Sequence, residues 1–192
     1  MQPLIFVTNN PHKLEEVKSM VGERFDLRNL RDINMEQEIP EEQDTLEGNA
    51  LQKAHFVFDQ TGLNCFADDT GLEVDALDGR PGVYSARYAG EDCSPQDNIK
   101  KLLGELNGVA QRTARFRTVI ALILDGREYL FEGKVEGQII SEESGSEGFG
   151  YDPVFQPEGW DKTFAEMPLS EKNKISHRGR ATQKLVEFLN QL

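Results

Sequence analysis

The sequence predicts a mixed α/β protein. Helical apolar spacing recurs in the first half and closes the chain, an apolar strand starts it, and two β-rich runs around an Asp-Gly turn fill its middle. Leu4-Ile-Phe-Val7 suits a buried strand. Thr8-Asn9-Asn10 follows, and then Pro11, a residue favoured at the first position of a helix. Leu14, Val17 and Val21 fall on one face of that helix. Thr45 can cap a second helix running to about Gln60, which would bury Leu46, Ala50, Leu51, Ala54, Val57 and Phe58.

Leu63-Asn-Cys-Phe-Ala67 reads as a strand delivering Asp68-Asp69-Thr70-Gly71 at its C-terminal end. Gly79-Arg-Pro-Gly82 is turn-rich and reads as irregular. Ser94-Pro95 opens another helix, with Ile99, Leu102, Leu103 and Leu106 at helical spacing. Residues 116–124 and 128–140 are β-rich and flank Asp125-Gly126, a strong hairpin signal. A Gly-rich segment, residues 145–153, precedes a helix from about Ser176 to Gln191 that would bury Leu185, Val186, Phe188 and Leu189. With no linker, low-complexity stretch or repeat, residues 1–192 read as a single domain.

Composition narrows the function classes. At 38% hydrophobic and 29% charged residues, the chain reads as globular rather than disordered. Its longest apolar run, residues 119–124, is far short of the roughly 20 residues a bilayer span needs. The opening Met1–Val7 stretch has no basic region or cleavage motif, so no targeting leader is expected. Two cysteines, Cys65 and Cys93, and no glycosylation sequon fit a reducing cytoplasm. A formal charge of −13 disfavours nucleic-acid binding, and no membrane partner is expected. Positive charge is nevertheless gathered locally at Lys172, Lys174, Arg178, Arg180 and Lys184, a run that fits either a phosphate site or a solvated helical face.

Four constellations could carry chemistry. Thr8-Asn-Asn-Pro-His-Lys13 lies where a strand enters a helix; backbone N–H groups, the positive helix end and the Lys13 ammonium could hold an anion there. The P-loop pattern is absent from the chain. Asp68-Asp69, with a distant acidic cluster at Glu38, Glu41, Glu42 and Asp44, offers carboxylates to Mg²⁺ or a base to an attacking water; a solvated Asp-Asp-Thr-Gly turn is the alternative. Phe149-Gly150-Tyr151-Asp152 combines close backbone approach with aromatic surface for a flat base, or else supplies core aromatics. Lys172, with Ser176-His177-Arg178-Gly179 at the start of the last helix, suits phosphate or a purine carbonyl, though His177 alone fits a packing role equally. Three histidines and two separated cysteines disfavour structural zinc, and no serine-nucleophile motif occurs.

Taken in order, these pieces resemble the inosine triphosphate pyrophosphatase family. The resemblance rests on Thr8-x-Asn10-x-x-Lys13-x-x-Glu16, Asn49-Ala50 with Lys53-Ala54, Ala67-Asp-Asp-Thr-Gly-Leu72, Gly82-Val-Tyr-Ser-Ala-Arg87, Gly148-Phe-Gly-Tyr-Asp-Pro153 and Ser176-His-Arg-Gly179. It implies an elongated central mixed sheet flanked by helices, with two lobes and an active-site cleft between them. It also implies a homodimer using Mg²⁺ to hydrolyse ITP, dITP and XTP to monophosphate and pyrophosphate, which cleanses the nucleotide pool. On that basis Thr8, Asn9, Asn10, Pro11, His12 and Lys13 would hold the triphosphate, with Lys53 assisting and Thr70 touching substrate. Asp69 would be general base and metal carboxylate, with Asp68 beside it and Glu41 as a second metal carboxylate. Phe149, Gly150, Tyr151 and Asp152 would form the base pocket, and Lys172, His177 and Arg178 would complete recognition. Where the family carries Glu-Thr-Gly-x-Thr, this chain reads Glu41-Glu-Gln-Asp-Thr45, so Glu42 or Asp44 could replace Glu41. Competing readings are a pyrophosphatase for modified pyrimidine triphosphates, a non-catalytic nucleotide-binding regulator and an RNA-binding module.

Overall fold

A computed structural model describes residues 3–21 and 25–192. Met1 and Gln2, the start of the stretch read for a leader, lie outside the described residues. The elements are β1 (Pro3–Phe6), α1 (Pro11–Val21), β2 (Asp26–Asn29), α2 (Leu46–Thr61), β3 (Cys65–Val74), β4 (Pro81–Gly82), α3 (Pro95–Glu105), β5 (Thr113–Leu124), β6 (Arg127–Ile139), β7 (Phe155–Pro157), α4 (Leu169–Ile175) and α5 (His177–Leu189). Among the described residues the strands form one sheet in the order β2-β1-β3-β5-β6-β7, with β4 paired to β3. β1 runs parallel to β2 and β3, whereas β3 with β4 and β6 with β7 are antiparallel. The predicted mixed α/β class is therefore borne out.

The chain divides into two compact units. The first comprises residues 1–69, 118–133 and 178–192; the second comprises 70–117 and 134–177. In the first unit, Leu4 and Phe6 of β1, Phe66 of β3 and Ile120 and Leu122 of β5 share one sheet face. That face packs against Val17 and Val21 of α1 and Ala181, Leu185 and Leu189 of α5. Phe6 and Phe66 stack with ring centroids 4.6 Å apart. The opposite face belongs to α2: Cys65 points that way and its thiol donates to the Ala54 carbonyl. Burial in this dry environment pushes the Cys65 thiol up to about 12. α2 is capped as expected, since the Thr45 hydroxyl accepts the Gly48 N–H.

In the second unit, Ile99, Leu102 and Leu106 at the α3 end pack with Leu72, Phe116, Phe155 and Phe164. Ser94 and Asp97 form a reciprocal capping box at the start of α3. The hairpin turn occurs where predicted, with Asp125 and Gly126 at φ 50° and 78°, the backbone a tight right-twisting hairpin demands.

One expectation needs correction, and one short helix is unforeseen. β3 does not stop before the aspartates; it continues through them to Val74 because Leu72 and Val74 extend its buried alternation and β4 supplies a partner strand. The closing helix expected from about Ser176 to Gln191 is present as α5, His177–Leu189, and a short helix precedes it that the sequence did not announce. Ser176 is extended, at φ −69° and ψ 157°, and separates α5 from the seven-residue α4, which carries Lys172 and is too short to display an apolar period. In α5, Leu185 and Leu189 are buried while Val186 and Phe188 are partly covered.

The fully buried, stacked Phe66 should be a keystone of the first unit. Phe66→Ala is expected to cost about 3–5 kcal/mol of unfolding free energy, measured by urea denaturation. Phe188→Ala, on the partly covered rim, should cost clearly less.

Candidate functional site

Successive residues of a strand point to opposite faces, and this parity separates the two aspartates of β3. Asp68 shares the face of Phe66, toward α1 and α5. Its Oδ1 accepts from Lys13 of α1 at 3.0 Å and its Oδ2 from the Arg178 guanidinium of α5 at 3.1 Å. Arg178 also donates to Glu16 of α1, making a buried chain of alternating charge. Burial opposes the Asp68 carboxylate, yet Lys13 and Arg178 outweigh it and hold this carboxyl well below the usual range. For Arg178 burial likewise opposes the charge, and Glu16 and Asp68 raise its pKa on balance. Burial lowers that of Lys13, with Lys53 and Arg178 reinforcing it and Asp68 opposing.

Asp69 faces α2. Its Oδ2 accepts from the Asn49 amide at 3.1 Å and its Oδ1 from Lys53 at 3.3 Å, both one turn apart on α2. The Lys53 ammonium also meets Glu41 Oε1 at 2.5 Å. Of the three carboxylates Glu41, Glu42 and Asp44, Glu41 is the one that reaches this cluster; Glu42 instead pairs with Gln52, and Asp44 is exposed. Burial raises the Asp69 pKa, Glu41 adds to the rise and Lys53 opposes it. Burial works against the Lys53 charge, but Asp69 and Glu41 outweigh it and raise its pKa.

An ammonium held between two carboxylates marks a point favourable to a cation. Two carboxylates suit Mg²⁺, which takes few protein oxygens and completes its shell with water and phosphate oxygens. No group of three or more His, Cys, Asp or Glu gathers for a metal among the described residues. Asp68 does not join Asp69 and Glu41, because strand parity commits it to the other face and its two oxygens each hold a cation.

The loop after β1 differs from expectation in its donors. The Asn10 side chain accepts the N–H groups of His12 and Lys13 at 3.0 and 3.3 Å, and the Thr8 hydroxyl accepts that of Asn10 at 3.1 Å. Asn10 is thus the helix cap, and these backbone donors are engaged within the loop rather than presented to an anion. Thr8, Asn9, Asn10 and Pro11 line a pocket of about 140 Å³ that Leu14, Asn29 and Arg31 complete; His12 is exposed beside it. Arg31 is a cation that motif reading missed, since it stands in none of the quoted patterns.

In the second unit, Asp152 is buried and accepts the Phe149 N–H at 3.0 Å and the Lys172 ammonium at 2.7 Å. Lys172 lies 5.0 Å from the centre of the Phe149 ring. Gly148, at φ 73°, is required because a Cβ there would strike the Asp152 carboxylate. This glycine therefore admits the protein's own carboxylate. Gly150 also sits at positive φ, and Thr70, partly buried, continues β3 directly after Asp69. Tyr151 is 5% exposed and its hydroxyl donates to the Ser85 carbonyl at 2.7 Å, so it braces the segment from within. His177 stacks on Phe116 with centroids 4.5 Å apart, inside the aromatic core. The basic run splits accordingly: Lys172 and Arg178 are buried, while Lys174, Arg180 and Lys184 are exposed.

A family model described as the Ham1 family matches residues 4–188. The chain belongs to the Ham1 family. A dITP/XTP pyrophosphatase of Porphyromonas gingivalis is 56% identical over 190 residues, 98% of each chain. One of Flavobacterium johnsoniae is 53% identical over 186 residues, 97% of each. The solved structure of a HAM1 protein from Coxiella burnetii superimposes with a TM-score of 0.92 at 35% identity, covering 100% of both chains. The resemblance drawn from the motifs is borne out. Within this Ham1 chain, Glu16 and Asn49 are quoted in the motifs without a task, and they contact Arg178 and Asp69. Each is a buried polar group on a helix, which is the signal that could have singled it out.

Asp68→Asn would leave Lys13 without its carboxylate partner and Arg178 with Glu16 alone. The expected loss is about 3–5 kcal/mol in denaturant unfolding at neutral pH, larger than for Glu41→Gln at the partly exposed end of the other cluster.

Proposed function

We propose that this protein hydrolyses deaminated purine nucleoside triphosphates, dITP, XTP and ITP, to the monophosphate and pyrophosphate. The observation that carries the reading is the Glu41–Lys53–Asp69 cluster: a buried aspartate fixed by Asn49 and Lys53, with a second carboxylate across the same ammonium. The names of the full-length relatives support the substrate class.

In this reading Asp69 orients a water and takes its proton as the water oxygen attacks the α-phosphorus. The bond from that phosphorus to the bridging oxygen breaks, and the electron pair leaves with pyrophosphate. Asn49 holds the Asp69 carboxylate in line, so little reorganisation is needed. Lys53 and Lys13 offset charge on the phosphate oxygens, with Thr8, Asn9, Asn10, Pro11 and His12 shaping the surface beside β1. Asp69 and Glu41 would hold Mg²⁺, which when bound supplies further charge neutralisation at those oxygens. Asp68 and Glu16 act as anchors that keep Lys13 and Arg178 in place.

Base selection falls to Phe149, Gly150, Asp152 and Lys172, with Thr70 and Arg178 as further substrate contacts and Tyr151 and His177 supporting from the core. Phe149 offers a stacking face, and Lys172 an ammonium suited to a purine 6-oxygen. Adenine carries an amino group at that position and would leave the donor unmatched, a penalty of about 1–3 kcal/mol. Both units belong to one catalytic domain, which is taken to act in the cytoplasm as a homodimer; a monomer mass in sedimentation equilibrium would exclude the dimer.

The test is pyrophosphate release with dITP, XTP, ITP, ATP, GTP and dUTP. Asp69→Asn is expected to lose at least about 100-fold in kcat with its melting temperature retained. Chelation should silence the wild type, and added Mg²⁺ should restore it. Full activity of the variant would remove Asp69 from its role, and equal rates on ATP and GTP would defeat the substrate assignment.

A further inference from the structure

The Gly82–Arg87 motif has no place in the chemistry above, yet Ser85 is buried and uses three polar contacts to join two functional segments. Its hydroxyl accepts the Leu72 N–H at 2.9 Å, on β3 two residues beyond Thr70. The same hydroxyl donates to the Gly82 carbonyl at 2.6 Å, closing its own turn. Its carbonyl accepts the Tyr151 hydroxyl at 2.7 Å, one residue from Asp152 and two from Phe149. Neighbouring backbone is pinned as well: the Asn98 amide donates to the Ala86 carbonyl at 3.0 Å and its oxygen accepts the Ala89 N–H at 2.7 Å.

We propose that Ser85 and Tyr151 form a clasp that sets the position of the Phe149–Asp152 segment on the second unit, making Ser85 a positioning residue for purine selection. The proposal rests on the reading of Phe149, Asp152 and Lys172 as the base site. Asp152 is fixed on one side by Lys172 and by the Phe149 N–H. The Phe149 contact moves with the turn that holds both residues, and the Lys172 contact ties that turn to α4. The Tyr151 hydroxyl anchors the turn at a second point, to a loop 66 residues away in sequence, which Ser85 in turn ties to β3. Burial pushes the Tyr151 phenol up, so the donor stays protonated throughout the working range. Without the clasp, the Phe149 ring and the Lys172 ammonium would sample several placements, and a stacked purine would lose the fixed donor that reads its 6-position.

The clasp can be opened from either side. Tyr151→Phe keeps the ring and removes the donor; Ser85→Ala removes the contacts to Leu72 and Gly82. Each is expected to raise KM for dITP by about fivefold and to lower the dITP-to-dATP ratio of kcat/KM by a similar factor, with kcat changed by less than about twofold. A purely structural role would lower the melting temperature and leave KM and that ratio alone, so that outcome in both variants overturns the clasp. Phe149→Ala and Asp152→Asn serve as references. If they shift the ratio while both clasp variants do not, the clasp fails and the base site stands. If none of the four shifts it, the base-site reading fails and the clasp with it.

Discussion

Two charged carboxylates in the buried part of a strand must each be compensated, and this constraint organises the first unit. Asp68 and Asp69 are 1% and 7% exposed, so neither can rely on water. Because adjacent strand residues face opposite ways, one cation cannot serve both from the same side. Two helices answer on one face and a third on the other. α1 and α5 bring Lys13, Arg178 and Glu16 to Asp68, while α2 brings Lys53 and Asn49 to Asp69.

The two networks differ in kind because their carboxylates differ in commitment. Asp68 has a cation on each oxygen, and its charge is locked in place. Asp69 has one amide and one shared ammonium, and burial leaves its proton affinity raised. A locked carboxylate stabilises and positions; one with raised proton affinity is suited to accept a proton. Adjacent, chemically identical residues therefore acquire unlike tasks from strand geometry alone. The locked network also spans the chain, since Arg178 lies 110 residues from Asp68 and 162 from Glu16. It forms only when the C-terminal helix docks, which ties the site to completion of the fold.

Most of the elements could be read in the sequence because their signals are local. Pro11, Thr45 and Ser94-Pro95 punctuate helix starts, and Asp125-Gly126 fixes the hairpin. Local signals give out where the deciding contact lies far away in sequence. The strand through Asp68 and Asp69 continues because β4 pairs with it, and nothing within 63–69 announces that partner. The site was legible as residue types, because lysines, vicinal aspartates and a Gly-aromatic turn suggest phosphate, metal and base. Their division of labour was not. By residue type Asp68 groups with the metal carboxylates, Asn10 with the anion-binding donors and Tyr151 with the base contacts; their partners in the structure are two cations, a helix start and the Ser85 carbonyl.

The same logic accounts for an acidic chain suited to a polyanionic ligand. With a net charge of −13, the overall field opposes a triphosphate, so cations must be concentrated and held in place. A lysine on a flexible stem would lose much of its effect to motion. Here four cations are tethered by carboxylates: Lys13 by Asp68, Lys53 by Asp69 and Glu41, Lys172 by Asp152 and Arg178 by Glu16 and Asp68. The tethers lower the net charge each site offers, which disfavours loose, non-specific anion binding. They also fix the geometry, so a ligand gains only when its oxygens match positions set in advance. Selectivity in such a protein follows from the placement of paired charges, and surplus acidity elsewhere on the surface reinforces it.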